Sequence, residues 1–434
     1  MTAPETWSLA RLSDAGELLN GRAYKQSELL LDKGTYRVIR VGNFFSSQKW
    51  YYSDLELEDG KYCNSGDLLY AWSASFGPKI WTGEKAIFHY HIWRVRLEES
   101  VADKMFLYRW FQWDKDNIKA EHGTGSTMIH VTKGDMEDRP IALPPLAEQR
   151  RIVVKLDALT ARTARARADL DRIPALAVRY KQAVLAKAFS GELTGSNGVG
   201  WNESPISEIA EVGTGSTPKR SQAAYYKGGS IPWVTSSVVN RARVDSADEF
   251  ITEQALRETN CKVFRPGTLL VAMYGEGQTR GRVSVLGIPA ATNQALAAIS
   301  IVSDDVVRRD YVYWFLRSQY LALRRAAAGG VQPNLNLGII KATRIPVPPL
   351  EEQVEIVRLV DRAFVEIDRM TAEAAAAGLL LGRLDHAVLT KAFRGELVPQ
   401  DPNDEPASVL IDRIHAERAS APKATRGRRK AVAA

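Results

Sequence analysis

Cysteine is nearly absent: the 434 residues contain two, Cys63 and Cys261, far apart and without metal-ligand spacing. Two such thiols are read as reduced and unpaired, which excludes a disulfide-stapled scaffold and a cysteine-built zinc site. Long apolar runs are missing too. No stretch could span a bilayer, and the amino terminus lacks a basic-then-apolar signal pattern, so a cytoplasmic protein is expected. No Gly-x-x-x-x-Gly-Lys-Ser/Thr phosphate loop occurs; residues 213–219 have the wrong spacing, and Pro218 removes an N–H. The Gly275-Glu276-Gly277 loop has Arg280 where a dinucleotide fingerprint needs its third glycine. No Asp/Asn-Pro-Pro-aromatic tetrapeptide is present to grip an adenine amino group; Pro144-Pro145 and Pro348-Pro349 lack both flanking residues. The chain is therefore expected to have no catalytic centre, metal or cofactor of its own. Excess charge is also scarce. Of the net +7, the last fourteen residues supply +5 through Lys423, Arg426, Arg428, Arg429 and Lys430, so basicity alone says little about the remainder.

Repetition is what the chain has instead. Pro144-Pro145-Leu146-Ala147-Glu148-Gln149 returns as Pro348-Pro349-Leu350-Glu351-Glu352-Gln353, at an offset of 204 residues. At the same offset, Lys187-Ala188-Phe189 and Gly191-Glu192-Leu193 return as Lys391-Ala392-Phe393 and Gly395-Glu396-Leu397. The chain therefore reads as two halves, each a variable body followed by a shared connector.

The connectors read as helices. From Ile152 to Val184, and again from Ile356 to Val388, apolar or small residues recur alternately four and three apart. A stripe sustained over more than four heptads predicts long helices packed as a coiled coil. About 40 helical residues would reach on the order of 60 Å. A kink is expected at Pro174 and at the matching Gly378. Residues 144–200 carry ten Lys/Arg against five Asp/Glu, whereas residues 344–420 carry nine against fourteen. Opposite charge predicts that the connectors pair with each other, antiparallel about an approximate two-fold axis.

The bodies, residues 7–143 and 201–347, are distant cousins. Both open with a tryptophan, Trp7 or Trp201, and both contain Gly-x-Leu-Leu-x-Ala, at residues 66–71 and 267–272, read as a turn and a buried strand. Residues 72–79 and 274–282 read as loops that differ completely. A common frame with divergent polar loops suits two modules that recognise different things. Base edges are read by Arg, Lys, Asn, Gln, Ser and Thr. On that chemistry the candidates in the first body are Arg40, Asn43, Gln48, Lys49, Ser73, Ser75 and Lys79. In the second they are Thr235, Ser236, Ser237, Gln278, Thr279, Arg280, Arg282, Asn293, Gln294, Gln332 and Asn334, with Asn336 beside them, the amides being suited to adenine. His89 and His91, read as one face of a strand over residues 88–93, lack a third metal ligand and are expected to be core or DNA-contact residues. The first body has eighteen basic and nineteen acidic residues, so any DNA contact there needs a local patch.

Two variable bodies, each followed by a Pro-Pro-Leu-x-Glu-Gln helix ending in Lys-Ala-Phe-x-Gly-Glu-Leu, resemble the DNA-specificity subunits of type I restriction-modification systems over residues 7–399. The resemblance implies an α+β chain: two mixed α/β target-recognition domains separated by two long antiparallel coiled-coil helices in a pseudo-two-fold internal repeat. The implied domains are 1–143 and 196–347 for recognition and 144–195 and 348–399 as helical spacers; beyond the resemblance, 400–434 reads from composition as a basic, flexible tail that either touches phosphates or only solubilises. It further implies double-stranded DNA as ligand, each domain reading half of a bipartite target, and no catalysis in this chain. Two modification (methyltransferase) subunits would dock on it, with restriction subunits joining. S-adenosylmethionine, ATP and magnesium would belong to those partners. Alternatives are a single-chain fusion fragment of a restriction-methylation enzyme and a coiled-coil scaffold that binds proteins.

Overall fold

Each variable body is closed by a two-stranded antiparallel ribbon that joins its first residues to its last. Ser8–Arg11 pairs with Pro140–Leu143, and Asn202–Pro205 pairs with Arg344–Val347. Both ribbons lead straight into a connector helix. The structure is a computed structural model and describes residues 4–73, 75–122, 131–275, 278–327 and 335–420.

The two bodies share one topology. In the first, Gly16–Asn20, Ile92–Leu97, Leu68–Ser73 and Ser75–Ile80 form one sheet in that order. Tyr51–Ser53, Tyr36–Ile39, Ala86–Phe88 and Tyr62–Cys63 form another. In the second, Ala210–Thr214, Leu296–Ile301, Leu269–Ala272 and Val283–Leu286 repeat the first order, with Arg243–Val244 added at the edge. Glu249–Ile251, Ile231–Val234, Ala290–Thr292 and Val263–Phe264 repeat the second. Each smaller sheet contains one parallel pairing, ending with Ile39 opposite Phe88 and Val234 opposite Thr292.

Gly-x-Leu-Leu-x-Ala is the turn and buried strand that the sequence predicts. Gly66 and Gly267 have φ of 92° and 91°, which a side chain would strain. Each donates its N–H across the sheet at 2.7 Å, to Trp81 O and Leu286 O. Two expectations fail here. Residues 72–73 and 75–79 are no loop; they belong to two paired strands in which Trp72 lies opposite Phe76 and Ser73 opposite Ser75. His89 and His91 do not share a strand, because pairing stops at Phe88 and the chain turns before Ile92–Leu97.

The residues divide into two compact units, Met1–Leu170 with Ala376–Ala434, and Asp171–Ala375. The division falls inside both connectors. Pro174 marks a break rather than a kink: one helix ends at Leu170 and the next begins at Ile173, with the proline in its first turn where no N–H is needed. By contrast, Leu350–Ala392 runs unbroken through Gly378.

Within each unit the repeated motifs perform the same tasks. The Gln149 side chain is fully buried; its amide donates to Val101 O at 2.7 Å and Pro144 O at 3.0 Å, while its oxygen accepts from Asp103 N at 2.8 Å. Gln353 repeats this with Val306 O at 3.1 Å, Pro348 O at 2.9 Å and Arg308 N at 2.8 Å. The preceding glutamates accept from the opening tryptophans, Glu148 from Trp7 at 2.9 Å and Glu352 from Trp201 at 3.0 Å. Phe189 packs on Tyr311 and Phe315, and Phe393 on Phe106 and Trp113. Each unit is thus clamped by the Glu-Gln of its own connector and the Lys-Ala-Phe of the other.

The opposite charges of the two connector segments meet within both units. Arg151 and Arg167 pair with Asp404 and Asp385 in one unit, an antiparallel order, and Lys181 pairs with Asp368 in the other. The seam is less complete than the stripe predicts. Ile152, Leu156, Ile356 and Val360 are buried, but Tyr180, Met370 and Leu384 are about half exposed or more. Two helices alone cover only part of a bulky seam residue; burial is full where a body packs on them too.

The expected flexible tail is corrected over residues 400–420; residues 421–434, which hold its basic cluster, lie outside the described residues. Ala407–Ser420 is a helix whose Leu410, Ile411 and Ile414 join the first body's core, and His415 bonds Asp14 at 2.8 Å. Those aliphatics, spaced three and four apart, give the helix an apolar face to bury.

Candidate nucleic-acid interface

Where two parallel strands end side by side, the segments that follow are brought together. In the second body these are residues 235–240 after Val234 and residues 293–295 after Thr292, tied by Asn293 N to Val234 O at 3.0 Å. Residues 215–218 and 273–275 leave the larger sheet at the same end, since Thr214 pairs beside Ala297 and Ala272 beside Leu296.

Most second-body candidates meet there. Arg282 donates from Nη1 to Asn240 Oδ1 and from Nη2 to Gln278 Oε1, both at 2.9 Å. Gln294 accepts from Thr217 at 2.6 Å, and the Thr235 and Ser237 hydroxyls lie 3.0 Å apart. Ser236 and Thr279 are half-buried beside them. Asn293 turns its oxygen back onto Ala295 N, so its side chain braces the turn. Arg280 folds onto its own loop, with Nη2 3.5 Å from Gly275 O and its carbonyl held by Arg324. Asn336 caps the Leu337–Ala342 helix instead of facing a ligand. Gln332 and Asn334 lie outside the described residues.

The first body assembles the equivalent end with different groups. Arg40 follows Ile39 and lies 4.3 Å from the Tyr51 ring, and Gln48, Lys49 and Ser75 are exposed. Three candidates are corrected. Asn43 is buried, and its amide is used on Ser47 O and Lys49 O at 3.2 and 2.8 Å. Ser73 is 1% exposed on the inward side of its strand. Lys79 spends its ammonium on Phe44 O at 2.9 Å. Asn43 and Lys79 thereby brace the loop that carries the exposed groups.

Some residues at these ends were not picked out from sequence. Arg22 pairs with Glu28 at 2.8 Å and its backbone bridges to His89. Arg220 lies over Tyr226 and Trp233 and pairs with Glu249. For Arg22 a basic residue two positions after a strand was the available signal. Asn240, between Val239 and Arg241, stands six residues beyond its strand and offered none.

His89 occupies the place that Asn293 holds in the other body, donating its backbone N–H to Ile39 O at 2.9 Å. Burial, then His91 and Arg40, push its imidazole from 6.5 down to about 4. A depressed histidine stabilises the fold fully above its ordinary value, and that contribution is lost as pH falls from about 6.5 through about 4. Urea midpoints measured across that window should fall in the unmodified chain and flatten in His89→Gln. Among the described residues, no group of three or more metal-ligating side chains is assembled, and no helix is long and apolar enough to cross a membrane.

Comparison with known proteins agrees with this arrangement. The family model described as type I restriction modification DNA specificity domain matches residues 4–174 and again 198–374. The specificity subunit of the Escherichia coli type I restriction enzyme EcoBI is 26% identical over 446 residues, covering 96% of this chain and 93% of that protein. That of EcoDI, also from Escherichia coli, is 27% identical and covers 81% and 84%. The crystal structure of the HsdS subunit from Thermoanaerobacter tengcongensis shares the fold, with a TM-score of 0.60 at 21% identity over 92% of this chain and 99% of that one. With one match for each body, each running on into a connector helix, the chain belongs to the type I restriction-modification DNA specificity family.

Proposed function

We propose that this chain supplies the address of a type I restriction-modification complex and none of its chemistry. Each body reads one half of a split, asymmetric DNA target, and the connectors dock two modification subunits that methylate adenine. Restriction subunits join through that core. S-adenosylmethionine, ATP and magnesium belong to the partners. The observation that carries this reading is the shared topology with unlike side chains at one end: Arg22, Arg40 and His89 in the first body, Thr217, Thr235 and Asn293 in the second. A frame held constant while its reading groups vary is what two independent half-sites require. The second body's seventeen basic against twelve acidic residues also favour a polyanion.

Methylome sequencing of cells holding the modification subunit, with and without this chain, tests the proposal. A bipartite adenine-methylated motif should appear only with the chain. If the same motif is methylated without it, or if DNA binding is insensitive to salt, the reading fails.

A further inference from the structure

The cluster around Arg282 fixes which atoms of two exposed amides face outward. A guanidinium has donors only, so the atoms that Asn240 and Gln278 turn toward it are their oxygens. With its oxygen turned inward, the group that each amide turns outward is its NH2. Arg282 is itself anchored: its backbone N–H donates to Thr279 O at 3.1 Å, and its carbonyl accepts from Ala272 N at 3.0 Å. Gln278 is held from behind by the Tyr320 hydroxyl on its carbonyl at 2.9 Å. Both amides remain exposed.

We propose that Asn240 and Gln278 form a donor pair reading guanine through its N7 and O6, with Arg282 as the positioning residue. This rests on the second body reading DNA. In the major groove guanine offers two adjacent acceptors, whereas adenine sets a donor beside its acceptor. A free amide matches adenine with its oxygen and its NH2 together. Here both oxygens are turned to the arginine, so the pair fits an acceptor-rich edge, contrary to the adenine preference that residue type alone suggests.

Asn240→Asp and Gln278→Glu isolate the claim. Each keeps the inward oxygen, and so the Arg282 bond, while replacing the outward donor with an acceptor. The full chain, assembled with its modification subunits, would methylate duplexes randomised in one half-site at a time. The unmodified chain should require guanine in the half-site read by the second body. Each variant should lose about tenfold or more on that sequence and shift toward bases with an exocyclic donor, with the other half-site unchanged. Arg282→Ala should relax the same positions without moving the first half-site. Variants that methylate the original sequence at the original rate, or that weaken both half-sites equally, overturn the assignment. Failure of the DNA-reading proposal is distinguishable, because the unmodified chain would then show no bipartite preference at all.

Discussion

Gln353→Ala should lower the melting temperature of the second unit by roughly 10 °C, and Gln149→Ala should do the same to the first. Each glutamine is fully buried and satisfies two backbone carbonyls and one backbone N–H. An orphaned buried polar group costs about 1–3 kcal/mol, and truncation also leaves a cavity, so a loss of about 3–5 kcal/mol is expected per site. Calorimetry separates the two transitions, and the double variant should show both losses unreduced, since the clamps share no partner. A change under about 1 kcal/mol would mean the backbone finds other partners. The side chain would then be conserved between the copies for some other reason.

These clamps explain why the duplication was legible. A glutamine bonded to three backbone groups cannot be exchanged for another residue, so both copies retain it. The partners gave no such signal: Asp103 and Arg308 occupy equivalent places with opposite charge, because only their N–H groups are used. Periodicity revealed the connectors as helices, but not which seam residues would be covered, which depends on the bodies packed against them. The docking of residues 407–420 was not legible because the basic residues 423–430 are the conspicuous feature of that end, whereas the Leu410, Ile411 and Ile414 face lies before them.

The candidate site was half legible for a related reason. Residue type finds groups able to bond a base, and it picked the exposed Gln48, Lys49 and Gln278. The same chemistry braces loops, as Asn43 and Lys79 do, and it does not tell a buried Ser73 from an exposed one. Distinguishing the two uses requires knowing what lies within 3 Å, and the partner of Asn240 is 42 residues away in the chain.

Ile414→Asp should release the C-terminal helix and weaken the first unit by about 3 kcal/mol or more. Ile414 is 4% exposed and lies in the same cluster as Leu12, Leu18 and Phe106, where a carboxylate would have no partner among the aliphatics around it. The favourable response is undocking, which exposes Leu410 and Ile411 and frees the Ala407 N–H from Thr6 O. Protease cleavage within residues 400–420 should become rapid and the first transition should move down, while the second stays in place. Glu417→Ala, on the exposed face of the same helix, should change stability by less than about 0.5 kcal/mol. Because the helix covers the ribbon that closes the first body, its release should also degrade recognition of one half-site before the other. Equal loss at both halves would argue instead that this helix serves the connectors.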